Sequence, residues 1–252
     1  MQNAPGASTP MDLNVKLDLA EDRGEKELKD MTGYHPIVGS LMYVALATQP
    51  DISFAVAALC RYNSRHFSRH LTAAKRVFRY LKSTANFRLH FSSTGSNDEL
   101  TGYMDSDWAN DSADHKSPGG HVFLPRNGAV SWQSRKLHLF ARSTLEAVYI
   151  TCSEGPREAK WLRQLHRDIH GKDASPLPIN CDNQGALSHI TTGIIEARTK
   201  YIDVCNHNSR DLYARKIVDY SHRHTNQNVA DILTKALARD KHEKFTKAIG
   251  LW

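Results

Sequence analysis

Three short strand-like runs follow one another beyond residue 98, and only afterwards does the chain alternate helix with strand. The runs are Leu100 to Met104, Gly120 to Leu124 and Ala129 to Gln133, parted by Pro, Gly, Asn and Asp residues. A helical stretch spans about Thr144 to His170, with a break or bend expected at Gly155-Pro156. A fourth strand, Pro176 to Cys181, runs into a helix at Asp182-Asn-Gln184. A helix over Arg198 to Arg215, a strand over Ile217 to Ser221 and a terminal helix from about Gln227 complete the series. This order predicts an α/β domain whose mixed sheet begins antiparallel and has helices around it.

The residues in front of that domain have a different character. Pro36 and Pro50 suit the first turns of helices, and Asp51 complements a helix N-terminus. In Leu71 to Lys82, the residues Leu71, Ala74, Phe78 and Leu81 recur at helical spacing and predict a buried stripe. Lys75, Arg79 and Lys82 recur at the same period on another face. Such a row suits nucleic-acid phosphates and equally suits a solvated surface, and periodicity does not separate the two.

Charge divides the chain the same way. The formal net charge is +6, made of a −3 stretch over residues 1–30, a +7 stretch over 31–92 and +2 in the rest. Residues 1–30, poor in large apolar side chains, predict a disordered acidic tail. The predicted organisation is therefore a tail (1–30), a helical segment (31–92), an α/β domain (99–240) and a C-terminal extension (241–252). Four separated cysteines, Cys60, Cys152, Cys181 and Cys205, fit free thiols in a reducing compartment. No secretory signal pattern opens the sequence, and the apolar run Leu41 to Ala47 is far too short to span a bilayer.

Three acids fall at element boundaries. Asp105 closes the first strand, Asp182 the fourth, and Asp231 opens the last helix. Carboxylates brought together from separate elements suit hard divalent cations such as Mg²⁺, and a pair of such ions about 3.5–4 Å apart suits phosphodiester hydrolysis. Each acid also has a plainer role open to it: Asp105 in a turn, Asp182 as a helix cap, Asp231 as the i,i+4 partner of Lys235. His66 and His70, at i,i+4, lack a third ligand for zinc. Asp105 and Asp107 are parted by Ser106, unlike the adjacent aspartates of a polymerase site. Trp108, Trp132 and Trp161 are expected to anchor the core.

A series of phrases ties these features together. They include Val38-Gly-Ser-Leu-Met-Tyr43, Gln49-Pro-Asp-Ile52, His70-Leu-Thr-Ala-Ala-Lys-Arg-Val77, Arg79-Tyr-Leu-Lys82, Asp105-Ser-Asp-Trp-Ala109 and Ser131-Trp-Gln-Ser-Arg-Lys136. Lys160-Trp-Leu162, Cys181-Asp-Asn-Gln184, Arg198-Thr-Lys200, Ile202-Asp203 and Ala230-Asp-Ile-Leu-Thr-Lys235 continue the series. From Tyr34 onward the chain resembles the end of a copia-type retrotransposon Pol polyprotein, where a reverse-transcriptase tail precedes a ribonuclease H domain. The resemblance implies a ribonuclease H-like five-stranded sheet and an endonuclease that cuts the RNA strand of RNA–DNA hybrids. It implies two Mg²⁺ (or Mn²⁺) ions held by an Asp-Glu-Asp-Asp set, with Asp105, Asp182 and Asp231 as the aspartates. The implied partners are the hybrid, gripped by Lys75, Arg79 and Lys82, and the upstream reverse-transcriptase region. No membrane is implied. The implied setting is intracellular: cytoplasmic virus-like particles, and the nucleus.

The glutamate departs from the family pattern Ser-Thr-x-Glu-Ala-Glu-Tyr. This chain has Ser143-Thr-Leu-Glu-Ala-Val-Tyr149, keeping Glu146 and placing Val148 at the second acid. Two residues apart on a helix means about 200°, so the two positions cannot both face one site, and periodicity does not choose between them. Glu146 is the acid available there. Other departures are Asn206-His-Asn-Ser209, Ser117-Pro-Gly-Gly120 and His222-Arg-His-Thr225. His224 stands where many ribonucleases H carry a loop histidine, which leaves it a part in product release or, more plainly, a solvated loop position. The alternative to an active nuclease is an inactive or decayed copy that keeps at most a nucleic-acid-binding fold.

Overall fold

The computed structural model describes residues 3–15, 17, 31–91, 100–107, 117–137, 144–171, 175–192 and 203–252, without the side chains of 31–32, 144–153 and 203–207. The front of the chain forms α1 (Met31–Ala47), a 3₁₀ turn (Pro50–Ile52), α2 (Ser53–Cys60) and α3 (Ser68–Ser83). The α/β part adds β1 (Thr101–Ser106), β2 (Pro118–Leu124), β3 (Ser131–Lys136), α4 (Thr144–His170), β4 (Leu177–Cys181), α5 (Gln184–Thr192), α6 (Asp203–Ala214) and β5 (Val218–His222). Two 3₁₀ turns, Thr225–Gln227 and Val229–Leu233, lead to α7 (Arg239–Ala248).

The five strands lie in the order β3-β2-β1-β4-β5. β1, β2 and β3 pair antiparallel, while β4 joins β1 and β5 in parallel after helical crossovers. The result is a mixed five-stranded α/β sheet flanked by helices. Successive residues of β2 serve opposite faces. Phe123 joins Met104, Ile179, Leu162, Ile190 and Leu212 beneath α4, α5 and α6, whereas Val122 joins Leu233, Phe245 and Ile249 beneath the second 3₁₀ turn and α7. Coverage on both sides explains why all of β2 is buried.

Helices α1 to α3 enclose a third core that includes Tyr34, Leu41, Ile52, Leu59, Val77 and Tyr80. It is pinned to the sheet by polar contacts. Trp132 Nε1 on β3 donates to the Ala45 carbonyl at 2.8 Å, and His242 Nε2 on α7 lies 3.3 Å from the Asp51 carbonyl oxygen. Asp51 accepts a hydrogen bond from the Tyr80 hydroxyl, and burial pushes its carboxyl up to about 6.

Several expectations change. Residues 3–15 do not behave as a disordered tail: Ala7 and Met11 are buried in the front core, and their neighbours' carbonyls serve as acceptors for α3. Residues 18–30 lie outside the described residues. Pro36 sits inside α1, which starts at Met31, rather than in a first turn. Helix α4 continues through Gly155-Pro156, and Gly155 lets it approach the sheet, because a Cβ there would overlap Met104 Sδ. The expected extension at 241–252 is part of the core: Phe245, Ile249 and Leu251 are fully buried, and Leu251 bridges to Leu89. Trp161 is 55% exposed and anchors nothing, Trp132 is partly buried, and Trp108 lies outside the described residues. His66 and His70 are buried and stacked on Tyr34 and Tyr62 respectively, and among the described residues they join no metal-ligand cluster. Cys60 and Cys181 are free thiols.

Candidate metal centre

Asp105 and Asp182 arrive on neighbouring parallel strands. Asp105 lies near the end of β1, and its pleat direction is opposite to that of Met104, so it faces the 3₁₀ side of the sheet. Asp182 follows the last residue of β4, whose register with β1 sets Cys181 beside Met104. Asp231 comes from the 3₁₀ turn Val229–Leu233 rather than from an α-helix. Asn228 starts that turn: its side-chain oxygen accepts from the Ala230 N–H at 3.3 Å. The same side chain donates to the Met104 carbonyl at 2.9 Å, tying the turn to β1. Gly120, opposite Asp105 on β2, leaves room for Leu233 and Thr234, since a Cβ there would be 2.6 Å from Leu233 Cβ.

These placements bring one carboxylate oxygen from each of Asp105, Asp182 and Asp231 within 4.8 Å of one another. Asp105 and Asp231 are buried and Asp182 is half-buried. Neighbouring hydroxyls orient the acids: Thr225 Oγ1 donates to Asp182 Oδ2 at 2.7 Å, and Thr234 Oγ1 donates to Asp105 Oδ2. Burial pushes the Asp105 carboxyl up to about 7; the Lys235 ammonium opposes this, while Asp231 and Asp182 add to it. Lys235 lies 3.0 Å from Asp231 Oδ1 and 3.6 Å from Asp105 Oδ2. Burial alone would lower its ammonium, but Asp105 and Asp231 override this and hold it above the usual lysine range. Lys241 on α7 reaches Asp231 Oδ2 at 2.5 Å.

Carboxylates this close repel one another unless protons or cations offset their charge. The donor set consists of hard oxygen ligands, and two ammonium groups already stand among them as monovalent cations. The residues fit a divalent metal, for which Asp105, Asp182 and Asp231 would be the ligands.

The other site candidates are placed less directly. Glu146 and Val148 both lie on α4, and their side chains lie outside the described residues. His224 is exposed and accepts from the Asn226 N–H at 3.2 Å, one residue before the Thr225 that orients Asp182. Lys75 is exposed on α3, but Arg79 and Lys82 contact the N-terminal segment. Arg79 donates to the Pro5 carbonyl at 2.7 Å, Lys82 to the Ala4 carbonyl at 3.0 Å, and Arg76 to the Thr9 carbonyl at 3.2 Å. Thr225, Asn228, Thr234 and Lys241 were not foreseen as site residues. Thr234 and Lys235 fall within the phrase Ala230 to Lys235, but nothing in the sequence singles out Lys241, which belongs to the next helix.

Comparison with known proteins bears on what this centre belongs to. No protein-family model matches the chain. It is 35% identical over 257 residues to the retrovirus-related Pol polyprotein from transposon TNT 1-94 of Nicotiana tabacum, covering 100% of this chain and 19% of that protein. It is also 35% identical over 251 residues to the Pol polyprotein from transposon RE1 of Arabidopsis thaliana, covering 17% of that protein. Over its whole length this chain is related to copia-type retrotransposon Pol polyproteins. It spans less than a fifth of the length of those two relatives. Among solved structures, an N-terminal RNase H domain from Mycobacterium tuberculosis aligns with a TM-score of 0.41 and 11% identity, over 60% of this chain and 97% of that one.

Proposed function

We propose that the copia-related chain hydrolyses the RNA strand of RNA–DNA hybrids with Mg²⁺ or Mn²⁺. The observation that carries this is the convergence of Asp105, Asp182 and Asp231 from three separate elements to within 4.8 Å. Divalent ions held there would stabilise the attacking and leaving oxygens at the scissile phosphate. The chain's own residues set up that chemistry. Thr225 and Thr234 orient two of the acids, and Asn228 fixes the turn that carries the third against β1. Lys75, with Arg79 and Lys82 once they are released from the N-terminal segment, would hold the hybrid's phosphates. His224, in the loop beside Thr225, would assist product release. Hybrids presented by an upstream reverse-transcriptase region, within cytoplasmic particles and the nucleus, are the partners this reading requires.

Glu146 is the acid available to complete the set, and Val148 replaces the second family glutamate. A valine cannot ligate a metal, so this substitution specifically favours a second reading, an inactive copy. A labelled hybrid incubated with Mg²⁺ and the purified chain, Asp105→Asn, Glu146→Gln or Val148→Glu separates the two. Cleavage that both Asp105→Asn and Glu146→Gln abolish supports the nuclease with Glu146 as ligand. Cleavage only by Val148→Glu shows that position 148 carried the lost ligand and that the natural chain is inactive.

A further inference from the structure

Asp231 differs from its two partners in the number of ammonium groups around it: two, against one for Asp105, whose Oδ2 lies 3.6 Å from Lys235. Its side chain is fully buried, and each oxygen faces an ammonium group: Oδ1 faces Lys235 at 3.0 Å and Oδ2 faces Lys241 at 2.5 Å. Asp182 instead receives the neutral Thr225 hydroxyl, and among the described residues no lysine or arginine pairs with it. The two lysines also come from different places. Lys235 is one turn beyond Asp231, whereas Lys241 reaches in from α7, with its Nζ 5.3 Å from the centroid of the fully buried Phe245 ring. The Lys241 ammonium is thus held between a carboxylate and an aromatic ring.

A divalent ion that takes Asp182 displaces no ion pair there, and at Asp105 it meets only the longer, 3.6 Å contact with Lys235. One that takes Asp231 as a ligand must displace an ammonium, and the remaining lysine then repels it across a poorly hydrated gap. From this asymmetry we propose that Lys241 is a positioning residue which, with Lys235, keeps Asp231 as an ion-paired anchor. The chain then takes one divalent ion tightly through Asp105 and Asp182 and a second, at Asp231, at least ~10-fold more weakly. This rests on the reading of the cluster as a metal centre, but not on cleavage of any substrate. It departs from a site with two equivalent ions, and it names a residue on α7 as the determinant of metal stoichiometry.

Mn²⁺ binding to the full chain, followed through the loss of the free ion's electron paramagnetic resonance signal, tests it without a substrate. The natural chain should give one tight step and one weak step. Lys241→Met should strengthen the weak step at least ~10-fold and leave the tight one in place, while Lys241→Arg, which keeps the cation, should leave both steps unchanged. Urea denaturation of each variant confirms that it is folded. Two equally tight steps in the natural chain overturn the proposal, and this holds even if the methionine variant fails to fold. An unchanged isotherm in folded Lys241→Met overturns it as well. A natural chain that binds no Mn²⁺ overturns both this proposal and the metal-centre reading. Stepwise binding without hybrid cleavage would overturn the nuclease reading alone.

Discussion

Gly120→Ala tests whether the packing beneath β2 sets the geometry of the acid cluster. A Cβ at position 120 would lie 2.6 Å from Leu233 Cβ, 3.2 Å from the Gln133 carbonyl oxygen and 3.2 Å from Thr234 Cγ2. Ordinary carbon contacts begin near about 3.5 Å, so a displacement of roughly 1 Å is needed. Leu233 Cβ is attached directly to the backbone and cannot rotate away, which leaves the 3₁₀ turn to move. That turn carries Asp231, and Thr234 just after it donates to Asp105. Overpacking of this kind costs about 1–3 kcal/mol of stability. Gly102→Ala is the matched control. Its Cβ would press on Phe123 Cε1 at 2.6 Å, on the opposite face, against a ring rather than the turn. Urea denaturation should show losses of similar order in both variants, and Mn²⁺ affinity should fall only in Gly120→Ala. A destabilised Gly120→Ala that binds Mn²⁺ like the natural chain would refute the coupling between turn packing and acid geometry.

Other consequences concern pH and the N-terminal segment. Burial lowers the His121 imidazole to about 4, while the unfolded chain's histidines titrate near about 6.5. The unfolded state therefore binds the extra proton first as pH falls. His121 stabilises the fold fully above about pH 6.5, and this contribution, at most about 3 kcal/mol, is lost as pH falls toward 4. His121→Leu should flatten the dependence of the urea midpoint across that window, and an unchanged slope would show that His121 does not titrate there. Removing residues 1–15 frees Arg76, Arg79 and Lys82 from the carbonyls of Ala4, Pro5, Gly6 and Thr9. Hybrid binding should become tighter at low salt, with a steeper salt dependence by roughly one to three phosphate contacts. Equal slopes with and without the segment would count against a phosphate role for this face.

The strands were legible in the sequence because each has turn residues at its ends, and the structure shifts their limits by no more than a few residues. The boundary aspartates were legible for the same reason. Asp231's element was not. Val229, Ile232 and Leu233 have spacing that suits an α-helix as well as a 3₁₀ turn, and the Asn228 side chain that begins the turn looks from sequence like an ordinary helix cap. The i,i+4 pairing of Asp231 with Lys235, set beside a metal-ligand role as its plainer alternative, is present in the same cluster. Both descriptions apply to one residue. Lys241 and the docking of residues 3–15 left no signature. The first depends on how α7 folds back, and the second uses backbone carbonyls, which every residue possesses, and small side chains such as Ala7.

The central claim is that three convergent aspartates make this chain a metal-dependent nuclease. Its most direct measurement is cleavage of an RNA–DNA hybrid labelled separately on each strand, with Mg²⁺ present or chelated, by the natural chain and by Asp182→Asn. Mg²⁺-dependent cuts confined to the RNA strand and absent from the variant are the expected result. An intact RNA strand with the natural chain at saturating metal, or equal cutting by Asp182→Asn, would contradict it.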